Sequence, residues 1–317
     1  MNNQINVIGA GAWGTALAVL FARAGKAVVL WARNPAMAAE MAARRVAPRL
    51  PGVVLPETLA VTADMPQAGT SLVVVPTQHL RALMPRLPQG GPLVLCCKGL
   101  EIGSLLLPPE FAVGERLAVL TGPNFAHEVA AGLPAAAVLA TPDDMLRAEL
   151  MGLLRTDSLR LYGSPDMLGA ALGGAAKNVI AIAAGVVMGA GLGENARAAL
   201  ITRGLAEIAR LALAIGGRAE TVSGLSGLGD LLLTCTGPSS RNYSLGFALG
   251  QGNSLGAVLG QRTTVTEGVT TAPALLTRAQ KAGVDMPITE AVTRLLAGER
   301  NVTQTMAGLM GRALKDE

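Results

Sequence analysis

The first half of the chain alternates short hydrophobic runs with longer segments of helical character. Five largely apolar runs are bounded by turn signals, which is typical of strands buried on both faces of a parallel sheet. They cover residues 5–8, 28–31, 72–75, 93–96 and 117–120. Helix-compatible segments at 15–23 and 37–45 lie between the first three runs. This order predicts βαβ units.

The second half differs, because strand signals nearly vanish and stretches rich in alanine and leucine dominate. Before it, the runs TPDD at 141–144 and SPD at 164–166 predict helices capped by Thr141 and Ser164, with a proline at the first helical position. A chain of 317 residues is long enough for two domains. We therefore predict an α/β domain with a doubly wound sheet at 1–163, followed by an all-α domain at 164–317.

Charge and hydropathy narrow the classes of partner. The 26 basic and 22 acidic residues give a net charge of +4 and are spread along the chain. This suits an anionic small molecule better than nucleic acid, which usually needs a basic face. Residues 168–192 are apolar over about the length of a membrane span. Because Lys177 and Asn178 lie near the centre of that stretch, we interpret it as a buried helix, with membrane insertion as the alternative.

The cysteines and histidines predict neither disulfides nor a metal site. Cys96 and Cys97 are adjacent and poorly spaced for pairing with each other, and Cys235 has no obvious partner. We interpret all three as reduced thiols of a cytoplasmic protein. His79 and His127 are the only histidines, which leaves almost no material for a His/Cys metal site.

A glycine-rich run opens the first predicted helix. The sequence GAGAWG at 9–14 has the spacing G-x-G-x-x-G and follows the first strand. In this setting the glycines allow a tight turn, close approach of a pyrophosphate, and close packing of helix on strand. The helix N-terminus then offers amide donors to the phosphates. The run predicts a dinucleotide site and, with the order of elements, a Rossmann-type sheet.

The end of the second predicted strand bears on which dinucleotide binds. It reads WARN at 31–34, without a carboxylate for the ribose hydroxyls of NAD. Arg33 can pair with the 2′-phosphate of NADP, so we predict that NADP is preferred and that NAD is also used. A solvated arginine at a strand end is the alternative.

Candidate reactive residues lie at four further places. Lys98 follows a predicted strand, as does the small-residue turn TGPNFA at 121–126, which places both at the ligand-binding edge of the sheet. Lys177 lies inside an apolar helix, and a buried lysine is rare without a partner. Asp230, in a glycine-rich turn, offers a carboxylate that would support a role of Lys177 in proton transfer. The run SSRN at 239–242 has donors suited to a phosphate monoester.

Together these motifs closely resemble the NAD(P)-dependent glycerol-3-phosphate dehydrogenase family, bacterial type. The likeness runs in order from residue 9 to about 268. It implies interconversion of dihydroxyacetone phosphate and sn-glycerol 3-phosphate by hydride transfer, a homodimer or a monomer–dimer equilibrium, and a role in phospholipid biosynthesis. The matching runs are 9–18, 98–99, 122–123, 177–179, 203–207, 227–236, 240–242 and 267–268.

The resemblance also implies roles for individual residues. Lys177 is expected to be the catalytic acid/base, with Lys98 and Asp230 beside the substrate. The expected cofactor contacts are Gly9, Gly11, Ala12, Trp13, Gly14, Arg33, Lys98, Ala126, Arg241, Val265 and Glu267. The expected substrate contacts are Lys98, Gly122, Asn124, Lys177, Asp230, Ser240, Arg241 and Asn242.

Two positions depart from the family pattern. Asn124 stands where a small hydroxyl residue is common, which puts its substrate contact in question, and Cys97 stands where serine or threonine is frequent.

Two alternative functions remain at this point. A reductase of the hydroxyacid or ketopantoate type shares the two-domain plan, but in hydroxyacid dehydrogenases the lysine and asparagine lie about one helical turn apart. A non-catalytic dinucleotide sensor would need no buried lysine paired with an acid.

Overall fold

The structure, a computed structural model, describes residues 3–261 and 266–311. The chain divides into two compact units. The first contains the chain up to Lys98 together with Leu107–Ala171. The second contains Gly99–Leu106 and the chain from Leu172 onward. Residue 163, near which the sequence predicted a boundary, lies in the first unit, and the short segment Gly99–Leu106 groups with the second.

The first unit is built on one eight-stranded sheet in the order β3-β2-β1-β4-β5-β6-β7-β8. Strands β1 to β6 are parallel, β7 pairs antiparallel with β6, and β8 pairs parallel with β7. The order reverses between β1 and β4, which is where ligands bind in doubly wound folds. The strands are Ile5–Ile8, Val28–Trp31, Ala60–Thr62, Thr70–Val73, Leu93–Leu95, Leu117–Thr121, Ala135–Ala140 and Leu159–Ser164.

All five predicted strands are confirmed, as β1, β2, β4, β5 and β6. The sequence analysis missed β3, β7 and β8. Strand β3 has only three residues and no buried position, and β7 begins with three alanines, which have low β-propensity. Strand β8 lies at the edge of the sheet, where part of the strand faces solvent. Short or edge strands with weak propensity leave little local signal.

Helices cover the sheet of the first unit, and a 3₁₀ turn occupies Met84–Arg86. Helix α1 begins directly after the glycine-rich run, and its Leu17 and Phe21 join Val7 and Leu72 of the sheet in the main core cluster. This packing fixes the position of the N-terminus of α1 at the carboxyl ends of β1 and β4. The helices are α1 at Ala12–Arg23, α2 at Pro35–Arg44, α3 at Thr77–Leu83, α4 at Pro108–Phe111, α5 at Ala126–Ala130 and α6 at Asp144–Leu154.

The predicted caps at Thr141 and Ser164 are wrong. In each case the aspartate after the proline serves instead. Asp143 Oδ1 accepts hydrogen bonds from the backbone N–H groups of Met145 at 2.9 Å and Leu146 at 3.0 Å. Asp166 Oδ1 accepts the N–H of Gly169 at 2.8 Å. A carboxylate is the better partner for the positive end of a helix.

In the second unit, every element that the structure describes is helical, which confirms the all-α prediction. Helix α7 contains the residue at which the two units divide, and a π-helical turn at Leu225–Gly229 leads directly into α10. The helices are α7 at Met167–Gly189, α8 at Gly193–Ala214, α9 at Ala219–Ser223, α10 at Asp230–Cys235, α11 at Arg241–Gly250, α12 at Leu255–Gly260, α13 at Glu267–Lys281, α14 at Pro287–Leu296 and α15 at Val302–Met310.

Helix α7 is the central helix of this unit. By length and composition it could cross a membrane, but 94% of its most apolar window is buried inside the protein, as in a core helix. Glycines bring α11 against it: a Cβ on Gly246 would overlap the carbonyl oxygen of Ile182, and one on Gly185 would overlap that of Tyr243. The backbones of the two helices can therefore touch.

A buried carboxylate joins α8 to the start of α14. The side chain of Glu207 accepts hydrogen bonds from Ile288 N at 2.6 Å and from Thr289 N and Oγ1 at 3.2 and 3.1 Å. It supplies the cap that Met286, the residue before α14, cannot provide. Burial raises the pKa of Glu207 to about 7, although the donated hydrogen bonds act in the opposite direction.

Candidate functional site

In the glycine-rich turn of the first unit, two glycines are required by the packing of the protein and a third is not. Gly9 has φ +126°, and a Cβ there would lie 2.7 Å from the carbonyl oxygen of Val74. A Cβ on Gly14 would overlap the carbonyl oxygen of Gly9. A Cβ on Gly11, in contrast, would meet no protein atom within 4 Å. A glycine is useful at that position where a ligand must approach the backbone closely.

The start of α1 provides the donors for such a ligand. Gly11 is the N-cap, and Ala12 and Trp13 form the first helical residues. The first N–H groups of a helix have no partner inside it and point along a dipole that favours an anion. These residues fit the pyrophosphate of a dinucleotide.

The end of β2 presents an arginine. Arg33 is exposed, while the next residue, Asn34, caps α2 by accepting the N–H groups of Ala36 at 2.9 Å and Met37 at 3.3 Å. The carboxamide of Asn34 is therefore engaged in the helix cap. Arg33 remains the charged side chain at this strand end.

Lys98, Gly122 and Asn124 are brought together after β5 and β6. Lys98 Nζ lies 3.5 Å from the carbonyl oxygen of Gly122, at the limit of a hydrogen bond. Asn124 Nδ2 donates to the carbonyl oxygen of Ala136 at 2.9 Å, but its buried Oδ1 has no hydrogen-bond partner within residues 3–261 and 266–311. A buried amide oxygen without a donor is rare and is a candidate acceptor for a ligand. Ala126, two residues further, begins α5.

The second unit contains a buried lysine–aspartate pair. Lys177 of α7 donates through Nζ to Asp230 Oδ1 and, at 3.0 Å, to Thr234 Oγ1. Lys177 is 8% exposed and Asp230 is fully buried. The hydroxyl of Thr234 donates in turn to the backbone carbonyl of Asp230 at 2.6 Å, which leaves its lone pairs towards the lysine. The ammonium is thus oriented by a charge and a hydroxyl.

Glycines make this pairing possible. A Cβ on Gly173, one turn before Lys177 in α7, would lie 2.5 Å from the carbonyl oxygen of Ser226 in the π-helical turn. A Cβ on Gly227 would overlap the carbonyl oxygen of Val222. Because the turn packs so closely on α7, Asp230 at its end reaches Lys177.

The three cysteines are free thiols, as the sequence predicted. Cys235, at the end of α10, is near the lysine–aspartate pair. Burial raises its pKa to about 12, although the charge of Lys177 acts in the opposite direction. Burial also raises the pKa of Cys96 well above its usual range. These two thiols therefore stay protonated and unreactive at neutral pH.

The run at 239–242 forms the start of α11. Ser240 is the N-cap and accepts the N–H of Tyr243 at 3.2 Å, and the side chain of Arg241 is exposed. Asn242 is buried: its Nδ2 donates to Asn178 Oδ1 at 3.0 Å, and its Oδ1 accepts the N–H of Gly268 at 3.0 Å. The structure therefore gives Arg241 and Asn242 different surroundings.

Glu267 joins the same part of the second unit. Its Oε2 accepts a hydrogen bond from Asn178 Nδ2 at 3.3 Å. Val265, the other expected cofactor contact nearby, lies outside the described residues. Within residues 3–261 and 266–311, no group of three or more His, Cys, Asp or Glu side chains could hold a metal ion.

The sequence analysis did not assign a role to Thr234 or to the side chain of Asn178. Thr234 lies four residues after Asp230 and hence on the same helix face, a spacing that could have indicated it. No local signal predicted the partners of Asn178, because they are 64 and 89 residues away along the chain.

Two families of known proteins match this chain, one in each of its two units. The family described as NAD-dependent glycerol-3-phosphate dehydrogenase N-terminus matches residues 4–147, and the corresponding C-terminus family matches residues 166–307. A protein of Acidiphilium cryptum named glycerol-3-phosphate dehydrogenase [NAD(P)+] is 62% identical, over 99% of this chain and 98% of its own. One of the same name from Gluconobacter oxydans is 56% identical over 92% of each chain.

A solved structure agrees in fold. The crystal structure of glycerol-3-phosphate dehydrogenase from Coxiella burnetii superposes with a TM-score of 0.91 at 38% identity. It covers 98% of this chain and 99% of that one. The likeness therefore extends over both units.

Proposed function

The chain belongs to the NAD-dependent glycerol-3-phosphate dehydrogenase family, and on that premise we propose how its residues divide the work of the reaction. It is an oxidoreductase that interconverts dihydroxyacetone phosphate and sn-glycerol 3-phosphate with NAD(P)H. The observation that carries the assignment of roles is the buried pair of Lys177 and Asp230.

Lys177 is the general acid for reduction of the ketone. Negative charge develops on the carbonyl oxygen, and a lysine ammonium can stabilise that charge and then donate a proton to the oxygen. In the reverse direction the neutral amine accepts the proton of the alcohol. A site shielded from water strengthens this electrostatic help.

Asp230 and Thr234 hold Lys177 in place. A buried ammonium without a counter-charge would be costly, and the carboxylate of Asp230 balances it. The hydroxyl of Thr234 fixes a second N–H direction of the lysine. The ammonium therefore needs little reorganisation when the reaction begins.

In the first unit, we assign the substrate contacts to Lys98, Gly122 and Asn124. Lys98 adds positive charge towards the reacting oxygen. The unpartnered Oδ1 of Asn124 would accept a substrate hydroxyl, which a small hydroxyl residue could also do. This supports the contact despite the departure from the family pattern.

The glycine-rich turn and the start of α1 would hold the cofactor through Gly9, Gly11, Ala12, Trp13 and Gly14. We assign further cofactor contacts to residues outside this turn. These residues are Arg33, Lys98, Ala126, Arg241, Val265 and Glu267. When bound, NAD(P)H supplies the hydride for the carbonyl carbon.

We also propose that NADP is the preferred form. The exposed Arg33 lies at the end of β2, where residues 31–34 contain no carboxylate, and would form a charge-assisted pair with the 2′-phosphate. The names of the relatives state dependence on NAD(P)+ and do not say which of the two forms is preferred.

The start of α11 would bind the phosphate of the substrate. Arg241 offers a guanidinium fork, Ser240 a hydroxyl, and the first turn of the helix its N–H groups. Asn242 follows directly in this turn. The resemblance further supports a cytoplasmic homodimer whose product feeds glycerophospholipid biosynthesis.

The test is oxidation of NADPH followed by absorbance, with dihydroxyacetone phosphate as substrate. Unphosphorylated dihydroxyacetone and ketopantoate serve as parallel substrates, and NADH as the parallel cofactor. Lys177→Met should lower turnover by about 10² or more. Lys26→Met, a lysine in the loop before β2, is the matched control and should keep parental turnover.

The outcomes separate the possible functions. Rapid oxidation with the phosphorylated ketone alone supports the proposal. Activity with ketopantoate instead would indicate a related reductase, and NADPH binding without any turnover would indicate a sensor. Near-parental turnover of Lys177→Met would show that the acid is another residue.

A further inference from the structure

A threonine with no role in the site described so far donates a hydrogen bond to the main chain of Lys98. Thr77 is the first residue of α3 and is only 3% exposed. Its Oγ1 lies 3.1 Å from the carbonyl oxygen of Lys98 and donates to it. The two residues are 21 apart along the chain, so the contact depends on the sheet that brings them together.

Thr77 directs its hydroxyl away from its own helix. An N-cap threonine accepts a backbone N–H of the first turn, but the N-cap of α3 is Pro76, whose ring offers no hydrogen-bonding atom. A threonine within a helix commonly bonds back to a carbonyl three or four residues earlier. Thr77 instead reaches the segment that follows β5, so its hydroxyl connects two separate parts of the chain.

The hydrogen bond continues the pairing of β4 with β5 past the ends of these strands. The two strands are paired up to Val73 and Leu95. One residue further, Cys96 N donates to the carbonyl oxygen of Val73 at 2.9 Å. Beyond that point the chains continue as loops, and the donor from the β4 side is the side chain of Thr77. Because a carbonyl that leaves water needs a donor, this bond fixes the main chain of Lys98 relative to β4.

The side chain of Lys98 meets the opposite neighbour of β5. In the sheet β5 lies between β4 and β6, and Lys98 Nζ is 3.5 Å from the carbonyl oxygen of Gly122, which follows β6. Gly122 is itself fixed, because a Cβ there would lie only 3.0 Å from Ala137 Cα and 3.1 Å from the carbonyl oxygen of Ala136 in β7. Lys98 therefore contacts both neighbours, through its main chain on one side and its ammonium on the other.

The position of the ammonium depends on the position of the main chain. The ammonium of lysine lies at the end of a flexible four-carbon stem, so a shift at the main chain is passed on to the charge. The contact of Lys98 with Gly122 is at the limit of a hydrogen bond and adds little restraint. Misplacing a group that aids a reaction by about 1 Å can cost ~10²-fold in rate.

We propose that Thr77 is a positioning residue for the reaction. Its hydroxyl sets the main chain of Lys98 and thereby places the ammonium of Lys98 beside the substrate. The proposal rests on the substrate contact assigned above to Lys98. Thr77 acts through Lys98 and not by contact with the reacting atoms.

The first experiment separates the hydroxyl of Thr77 from its shape. Thr77→Val removes the donor and keeps the shape, whereas Thr77→Ser keeps the donor. With dihydroxyacetone phosphate and NADPH, Thr77→Val should lower kcat/KM by about tenfold, because a buried carbonyl loses its donor. Thr77→Ser should stay close to the parent. Parental kcat/KM in Thr77→Val, or an equal loss in both variants, would overturn the proposal.

The second experiment tests whether Thr77 acts through Lys98. Thr77→Val is combined with Lys98→Met, which removes the ammonium and keeps an apolar stem. In that background Thr77→Val should change kcat/KM no further, because no ammonium remains to be placed. A second loss of about tenfold on top of that of Lys98→Met would mean that Thr77 acts independently of Lys98, contrary to the proposal.

A matched control and a stability measurement keep the result specific. Thr202→Val removes an exposed hydroxyl of α8 that also donates to a backbone carbonyl, that of Ala198, at 3.1 Å. This variant should keep parental kcat/KM. In urea unfolding, Thr77→Val should lose the same stability in the parent and in the Lys98→Met background, because the hydrogen bond is made to the main chain. Loss of stability therefore separates from loss of activity.

The hydrogen bond is also observable without any substrate. In an HNCO spectrum the carbonyl carbon of Lys98 is detected through the amide of Gly99, the next residue. Its chemical shift should move in Thr77→Val and much less in Thr77→Ser. If the parent failed to reduce dihydroxyacetone phosphate, the proposed function would fail, and the shift would still show whether Thr77 fixes the main chain of Lys98. In an active parent, an unmoved shift in Thr77→Val would overturn the positioning role alone.

Discussion

Replacing Lys177 with methionine and Asp230 with valine, singly and together, separates the catalytic role of this pair from the cost of burying it. Asp230 is fully buried and Lys177 is 8% exposed, so neither charge can turn to water when its partner is removed. Breaking a buried ion pair from one side costs about 3–5 kcal/mol, because an uncompensated charge stays inside. Each single variant should lose stability by that amount.

The double variant should recover most of the loss. Apolar residues of similar volume in place of both charges are often neutral or stabilising, so we expect a stability within about 2 kcal/mol of the parent. Its turnover should nevertheless remain at least about 10²-fold below the parent, since no group can donate the proton. The double variant would then be well folded and inactive.

Urea unfolding followed by circular dichroism gives the free energies, and NADPH oxidation gives the turnover. The exposed pair Glu40 and Arg44, whose side chains are 46% and 70% exposed, is the matched control and should show a coupling of at most about 0.5 kcal/mol. Additive losses in the Lys177 and Asp230 cycle would refute the burial argument. Parental turnover in the double variant would refute the catalytic assignment.

Three further predictions concern other parts of the chain. Because burial raises the pKa of Glu207 from 4.5 to about 7, its contribution to stability is complete below about pH 4.5 and is lost as the pH rises through 7. That shift corresponds to a change on the order of 3 kcal/mol in the free energy of unfolding, and Glu207→Gln should flatten the stability of the protein over this range in urea unfolding. Arg33→Ala should raise the KM for NADPH by about tenfold or more and leave that for NADH unchanged, since one charge-assisted contact is lost. Gly246→Ala should destabilise the protein by roughly 1–3 kcal/mol in urea unfolding, because the new Cβ forces α11 away from Ile182 of α7.

Matched variants show whether each effect is local. Glu220→Gln changes an exposed glutamate and should keep the parental pH dependence of stability. Arg49→Ala removes an exposed arginine and should not alter cofactor preference. Gly256→Ala places a Cβ where no atom lies within 4 Å and should not destabilise the protein. A Glu207→Gln variant with the parental pH slope, unchanged NADPH affinity in Arg33→Ala, or parental stability in Gly246→Ala would each contradict its prediction.

Local features of the sequence were sufficient for much of the first unit. Each of the five predicted strands is a largely apolar run in one place along the chain, and the glycine spacing at 9–14 identifies the turn before α1 without knowledge of any contact. The strands that were missed are those whose formation depends on a neighbour. Strand β7 starts with alanines, and its pairing with β6 and β8 compensates for a weak propensity.

The candidate site shows the same division. Lys177 stood out from the sequence, because a lysine inside an apolar helix needs a partner, and Asp230 in a glycine-rich turn offered a carboxylate for it. No local signal in the sequence indicated that Asn242 turns inward while Arg241 stays exposed. That difference arises because α13 packs on α11 closely enough for Gly268 N–H to reach Asn242.

By itself, the sequence determined the kinds of elements, the dinucleotide-binding turn and the residue types able to perform the chemistry, since these depend on periodicity and on local backbone requirements. Only the tertiary structure decided which side chains meet. Lys177 and Asp230 are 53 residues apart, and Glu207 and Ile288 are 81 apart. Such contacts depend on how closely helices approach, and that distance is set by glycines and small side chains whose partners lie elsewhere in the chain.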